Sequence, residues 1–149
     1  MSHWLMVCSS TKALVYDITP NTIHKHAPLV KEFNHPKSKL KTGELTSDDS
    51  GRGMRQDGNR TKYEPAHDAH DMEQLHFAQD LAEFLDHERK ANHYQELTLC
   101  AAPHFHGVLN ECLDKHVAHL ITQHIQKDYI PLPGDQLQAV VDGIFHKTV

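Results

Sequence analysis

The sequence predicts an α/β fold: a single three-layer domain with a mixed sheet of about five strands, an N-terminal antiparallel hairpin and helices on both faces. The first observation is the order of patterns in residues 69–114, where a long amphipathic helix, a short apolar strand and a second helix follow one another. The second observation is the pair of apolar runs at residues 4–8 and 13–16, which a polar tetrapeptide separates. We expect one domain to span residues 1–149.

The long helix is predicted from apolar residues that recur at helical spacing. These residues are Met72, Leu75, Phe77, Ala78, Leu81, Ala82, Phe84 and Leu85. Asp68 is placed to cap the first turn, and Arg89 and Lys90 fall where the helix dipole favours positive charge. The run from residue 97 to residue 102 is short and continuously apolar, which is typical of a strand buried on both faces of a parallel sheet. After Pro103 the apolar residues return to helical spacing and predict the second helix.

The remaining patterns complete the sheet and its cover. The tetrapeptide at residues 9–12 is of the kind that closes a hairpin between the first two strands. A third strand is predicted over residues 28–33, and a further strand around residues 121–125 follows a short helix. A last helix that covers the sheet is predicted from Leu137, Val140, Val141, Ile144 and Phe145. The hairpin can leave an apolar sheet edge free, and such an edge can pair with a second copy of the chain.

Length and composition limit the class of protein. With 149 residues, of which 38% are apolar and 23% charged, the chain is large enough for one hydrophobic core. The net charge of -5 argues against a dedicated duplex nucleic-acid binder but is compatible with a local basic loop. The three cysteines form no C-x-x-C pair, which predicts reduced, buried thiols and a cytoplasmic location. No signal peptide or membrane-spanning run is recognised, so we expect no membrane association.

A long, exposed basic and polar loop is predicted over residues 34–66, where large apolar residues are almost absent. Its candidate phosphate-binding residues are Arg52, Arg55, Arg60 and Lys62. Guanidinium and ammonium groups in such a loop suit contacts with the phosphates of RNA. The alternative for the same residues is a loop that is merely solvated.

Histidines suggest a second candidate site. His104 and His106 follow the carboxyl end of the central strand, where open α/β sheets commonly bind ligands, and Asp128 follows another strand. These three residues form a candidate pocket, and their convergence would favour a hydrolase or a metal-dependent factor. The 15 histidines as a whole match no recognised zinc spacing, so we predict no metal site and no cofactor. The sequence also carries no nucleophile elbow and no phosphate-binding glycine loop.

A pattern spread over most of the chain resembles the bacterial host attachment protein family, which is also described as a release-factor-like family. The matching residues are Trp4 with Leu5-Met6-Val7 and Ala13, Phe33 through His35-Pro36, Leu45 with Ser47-Asp48 and Gly51-Arg52, Phe77-Ala78 with Leu81-Ala82, Ala101-Ala102-Pro103 with Gly107 and Leu109, and Lys127-Asp128. The order and spacing of these pieces carry the resemblance.

The resemblance implies a domain like the central domain of class-1 release factors and Pelota-type rescue factors. It places the loop before the long helix where true release factors carry a Gly-Gly-Gln tripeptide. This chain has Gly51-Arg52-Gly53-Met54-Arg55-Gln56 there, which lacks the consecutive glycines that release-type hydrolysis needs. The expected function is therefore a non-catalytic binding module on ribosomes or structured RNA. The alternatives are the hydrolase or metal-dependent factor and, from the family name, an interaction protein in attachment to a host.

Overall fold

The computed structural model describes residues 1–20, 23, 25–35 and 65–147, and for residues 65–70 it describes the backbone alone. The predicted loop at 34–66 therefore falls almost wholly outside the described residues. The elements, in chain order, are β1 (His3–Cys8), β2 (Lys12–Asp17), β3 (Leu29–Asn34), α1 (Pro65–Lys90), β4 (Glu96–Ala101), α2 (Pro103–Cys112), α3 (Lys115–Leu120), β5 (Ile121–Ile125) and α4 (Gly134–Lys147).

The strands form one mixed sheet in the order β3-β2-β1-β4-β5. β1 pairs antiparallel with β2, and β2 pairs antiparallel with β3. On its other side β1 pairs parallel with β4, and β4 pairs parallel with β5. The prediction of an α/β fold with a five-stranded mixed sheet and an N-terminal hairpin is confirmed.

Each face of the sheet packs against helices because side chains alternate along a strand. On one face Trp4, Met6 and Leu99 pack with residues of α1 and α2 such as Leu81 and Leu109. On the other face the side chains of β1 and β2 pack with Leu137, Val141 and Phe145 of α4. β4 is buried almost throughout, as its apolar run predicts. The prediction of helices on both faces is confirmed.

The start of one helix differs from the prediction. α1 begins at Pro65, so Asp68 lies inside the helix and does not cap it. Proline is favoured in the first turn because its missing N–H has no helical partner there and its φ is already near the helical value. The second helix ends at Cys112, and Asp114 then caps a separate helix, α3, by accepting a hydrogen bond from the backbone N–H of His116 at 2.7 Å.

The outer strands of the described sheet are β3 and β5. Leu29 and Val30 of β3 are 50% and 42% exposed, whereas the residues of β1 are all buried. Among the described residues, no helix is both long enough and apolar enough to cross a membrane.

A buried histidine in β1 predicts loss of stability in mild acid. Burial lowers the pKa of His3 below its usual value, although Glu96 and Asp17 act in the opposite direction. The unfolded chain therefore binds a proton more readily than the folded one, and stability falls as the pH drops below about 6.5 toward the folded pKa. Urea unfolding at pH 7.5, 6.5 and 5.5 should show this decrease. His3→Gln should show a shallower pH dependence; an unchanged dependence would contradict the assignment to His3.

Candidate functional site

A cavity of about 510 Å³ lies at the carboxyl ends of β1 and β4. Its lining residues are Ser9, Ser10, Thr11, Lys12, Asn34, Gln74, Ala102, His104, Phe105, Asp128, Ile130 and Pro131. They come from the β1–β2 turn, the end of β3, α1, the start of α2 and the segment that follows β5. This is the edge at which open α/β sheets bind ligands, because neighbouring loops diverge there.

The β1–β2 turn supplies hydroxyl groups to the cavity and is held by its own hydrogen bonds. The N–H of Ser9 donates to the carbonyl of Lys12 at 2.9 Å, and the N–H of Thr11 donates to Oγ of Ser9 at 3.3 Å. Lys12 contributes an ammonium group, 3.6 Å from a carboxylate oxygen of Glu32 on β3. The turn therefore presents hydroxyls and one cation on a fixed backbone.

The first turn of α2 forms the opposite wall. Ala102 precedes the helix and makes no side-chain capping hydrogen bond, and Pro103 has no N–H to donate. No acidic residue occupies this first turn. The partial positive charge of the helix start is thus left for a bound group, beside the exposed imidazole of His104.

Among the described residues that line the cavity, Asp128 brings the one carboxylate. Its Oδ1 accepts a hydrogen bond from the backbone N–H of Ile130 at 3.2 Å, which holds the loop after β5. An ionised carboxylate accepts several hydrogen bonds at once, so Asp128 can also accept from a ligand hydroxyl. The cavity therefore combines groups that suit a phosphate with one that suits a hydroxyl donor.

His35 connects the end of β3 to the β1–β2 turn and to α1. Its ring stacks on Phe77 of α1 with centroids 4.7 Å apart. Nδ1 lies 3.3 Å from the carbonyl oxygen of Ser10, and Nε2 lies 3.3 Å from a carboxylate oxygen of Glu73. His35, the last described residue before the basic segment, is thus held in place beside the cavity.

The predicted site residues are only partly brought together. His104 and Asp128 line the same cavity, but His106 does not. Nε2 of His106 instead lies 2.9 Å from Nδ1 of His124 on β5. Among the described residues, no three His, Cys, Asp or Glu side chains are grouped so that they could share a metal ion. The other predicted residues, Arg52, Arg55, Arg60 and Lys62, lie outside the residues that the structure describes.

Sequence reasoning missed several lining residues. Ser10, Thr11 and Lys12 were assigned only to a hairpin turn, although a polar tetrapeptide directly after a buried strand of an α/β sheet is itself a signal for the ligand-binding edge. Asn34 and Gln74 carry no such signal. They reach the cavity through the packing of β3 and α1, which no local pattern encodes.

The cysteines near the cavity are unsuited to nucleophilic chemistry. Cys8 ends β1, and burial raises the pKa of its thiol far above the usual value. Burial also raises the pKa of Cys100 to about 11, although a backbone hydrogen bond at Lys127 acts in the opposite direction. Both thiols are therefore protonated at neutral pH, whereas the thiolate is the reactive form.

Comparison with known proteins yields one family. No curated protein matches the chain. A family model described as "Protein required for attachment to host cells" matches residues 4–141. This range includes the described strands except His3 of β1, the cavity and the first half of α4. The chain therefore belongs to the host attachment protein family.

Proposed function

We propose that this protein is a non-catalytic binding module for structured RNA, acting in association with ribosomal particles. The observation that carries the proposal is the position of the cavity beside His35, where the basic segment leaves the sheet. Asn34, the last residue of β3, lines the cavity itself. A ligand in the cavity would therefore lie close to His35, the last described residue before the segment that contains Arg52.

The chemistry of the cavity lining supports a nucleic-acid ligand. Lys12, the hydroxyls of the β1–β2 turn and the start of α2 suit a phosphate group. Asp128 suits a ribose 2′-hydroxyl, the group by which proteins distinguish RNA from DNA. The candidate residues Arg52, Arg55, Arg60 and Lys62 would add phosphate contacts that are independent of sequence.

The same proposal includes the relationship to release factors. A mixed sheet between two layers of helices is compatible with the central domain of class-1 release factors and Pelota-type factors, and a domain of that kind would act at the ribosome. The absent Gly-Gly-Gln tripeptide argues for binding without hydrolysis. The hydrolase or metal-dependent alternative required His104, His106 and Asp128 to converge. Since His106 faces His124 rather than the cavity, no observation favours that alternative.

The test measures RNA binding as a function of salt. Fluorescence anisotropy with a labelled structured RNA would compare the wild type with a loop variant in which Arg52, Arg55, Arg60 and Lys62 are all alanine. Loss of phosphate contacts should weaken binding at moderate salt by at least about tenfold and should reduce the salt dependence of the affinity. Sedimentation of cell lysate through sucrose gradients would show whether the wild type migrates with ribosomal particles and the variant does not.

A matched control separates specific contacts from net charge. The variant with Lys25, Lys90, Lys115 and Lys147 changed to alanine also loses four positive charges, but none of these residues lines the cavity. It should bind RNA nearly as well as the wild type.

Asp128→Ala should reduce the preference for RNA over a DNA of the same sequence. If the wild type binds no RNA and remains at the top of the gradient at low salt, the proposal is wrong.

The family description supports a second candidate, an interaction protein that acts in attachment to host cells directly. That function requires the protein at the cell surface. Protease treatment of intact cells, followed by immunodetection, distinguishes the two candidates. Digestion of the protein on intact cells would favour the attachment function, whereas protection together with ribosomal co-sedimentation would favour RNA binding.

A further inference from the structure

The structure contains a close pair of imidazoles outside the cavity. His106 lies in the first half of α2, and His124 lies on the outer strand β5. Nε2 of His106 and Nδ1 of His124 are 2.9 Å apart, and the ring planes are inclined by 76°. His106 is only 7% exposed, whereas His124 is exposed. One nitrogen from each ring therefore faces the other ring, close to solvent.

We infer that His106 and His124 form an open, two-histidine site for a late divalent transition-metal ion such as Ni²⁺, Cu²⁺ or Zn²⁺. Imidazole nitrogen is a preferred ligand for all three ions. With metal–nitrogen bonds of about 2.0–2.1 Å, two ligands at right angles lie about 2.9 Å apart and two tetrahedral ligands about 3.3–3.4 Å apart. The observed separation of 2.9 Å is within reach of both arrangements. The ring centroids are 5.0 Å apart, as in a hydrogen bond, so the rings rotate on metal binding to direct both lone pairs at the ion.

The backbone elements that carry His106 and His124 hold the two rings in place. His124 occupies a defined register on β5, opposite Leu99 of β4. His106 is in the helix that begins directly after β4, and its backbone N–H donates to the carbonyl of Ala102 at 2.7 Å. The two ligands thus come from elements fixed by the same central strand. Preorganisation of this kind lowers the entropy cost of binding.

Without a metal ion, the short distance between the two rings is explained by one proton shared in a hydrogen bond. Two neutral imidazoles at this distance form one hydrogen bond, in which one ring donates its N–H and the other accepts. A metal ion needs the lone pairs of both facing nitrogens. The donor ring therefore moves its proton to its other nitrogen, and no net proton is released from two neutral rings. In the part of the chain that the structure describes, no third His, Cys, Asp or Glu joins them. The remaining coordination positions are then open to water or to an external ligand.

The test is a calorimetric titration of the full chain with Ni²⁺ or Zn²⁺. The wild type should show one site that is tighter than the background from its other histidines. His124→Gln and His106→Gln should each weaken this site by at least about tenfold, since even indirect changes at metal sites cost 10- to 100-fold. The ion should also raise the midpoint of thermal unfolding of the wild type, because it binds the folded pair more tightly than the histidines of the unfolded chain.

The control removes two histidines that are exposed on another helix. The variant His116→Gln/His119→Gln should retain the tight site. His124→Gln changes an exposed ring, so far-UV circular dichroism should show that it remains folded even if His106→Gln does not. Metal binding by His124→Gln with the wild-type affinity would overturn the inference, as would the lack of any site above the histidine background. Neither result depends on whether the protein binds RNA.

Discussion

Replacing Trp4 with alanine should lower the free energy of unfolding by about 3–5 kcal/mol, the cost typical of removing a buried large aromatic side chain. The side chain of Trp4 on β1 is 5% exposed. Its ring stacks on Tyr94 with centroids 5.0 Å apart and on Phe84 of α1 with centroids 6.1 Å apart. Phe33 of β3 contacts Phe84 edge-on at 4.9 Å. The alanine variant would therefore leave a cavity at the junction of β1, α1 and β3.

Urea unfolding followed by far-UV circular dichroism measures this loss, because the variant lacks the single tryptophan needed for a fluorescence signal. Trp4→Phe is the matched control. It retains an aromatic ring and should lose clearly less stability than the alanine variant. Equal losses for the two variants would show that a phenyl ring does not replace any of the contribution of the indole. A loss below about 1 kcal/mol for Trp4→Ala would contradict the proposed packing role.

The fold was predictable because its core elements have simple periodicities. The continuous apolar run at residues 97–102 predicted a strand buried on both faces, and β4 lies between β1 and β5 with helices on each side. The helical spacing of Leu137, Val141 and Phe145 predicted the helix on the second face. The start of α1 was not predicted correctly because Asp68 matched a capping residue as well as Pro65 matched a first-turn residue. Local preferences of similar size do not decide between neighbouring positions.

The sequence predicted the site residues only where the position of a strand end in the sheet determines them. His104 and Asp128 were assigned to the carboxyl edge of the sheet, and both line the cavity. His106 was grouped with His104 because both residues follow the carboxyl end of β4. Residues two positions apart on a helix lie on different faces, however, so α2 directs His106 toward His124 and away from His104. This part of the error was avoidable. The position of Gln74 and Asn34 at the cavity was not predictable, because it depends on how α1 and β3 pack.

Asp142→Ala should lower the free energy of unfolding by about 1–3 kcal/mol, which is the cost of leaving a buried hydrogen-bonding group unsatisfied. Oδ1 of Asp142 accepts hydrogen bonds from the backbone N–H of Ala27 at 3.0 Å and from Nε2 of Gln138 at 2.9 Å. Oδ2 lies 2.6 Å from Nδ1 of His26. Ala27 is 3% exposed, so its N–H cannot turn to water when the carboxylate is removed. These contacts fasten the segment before β3 to α4.

The pH dependence of this loss provides an independent check. Burial by itself would raise the pKa of Asp142, but the hydrogen bonds from Ala27, His26 and Gln138 outweigh it and hold the pKa below its usual value. Because the folded pKa is lower than the unfolded value of about 3.9, the stabilisation is fully present above that value and is lost as the pH falls through the folded pKa. Urea unfolding should therefore show a full difference between wild type and Asp142→Ala at pH 6 and a smaller difference near pH 3. Asp142→Asn retains an acceptor for Ala27 and should lose less stability than the alanine variant at pH 6. A difference that stays constant from pH 6 to pH 3 would mean that lost packing, rather than the ionised carboxylate, destabilises the alanine variant.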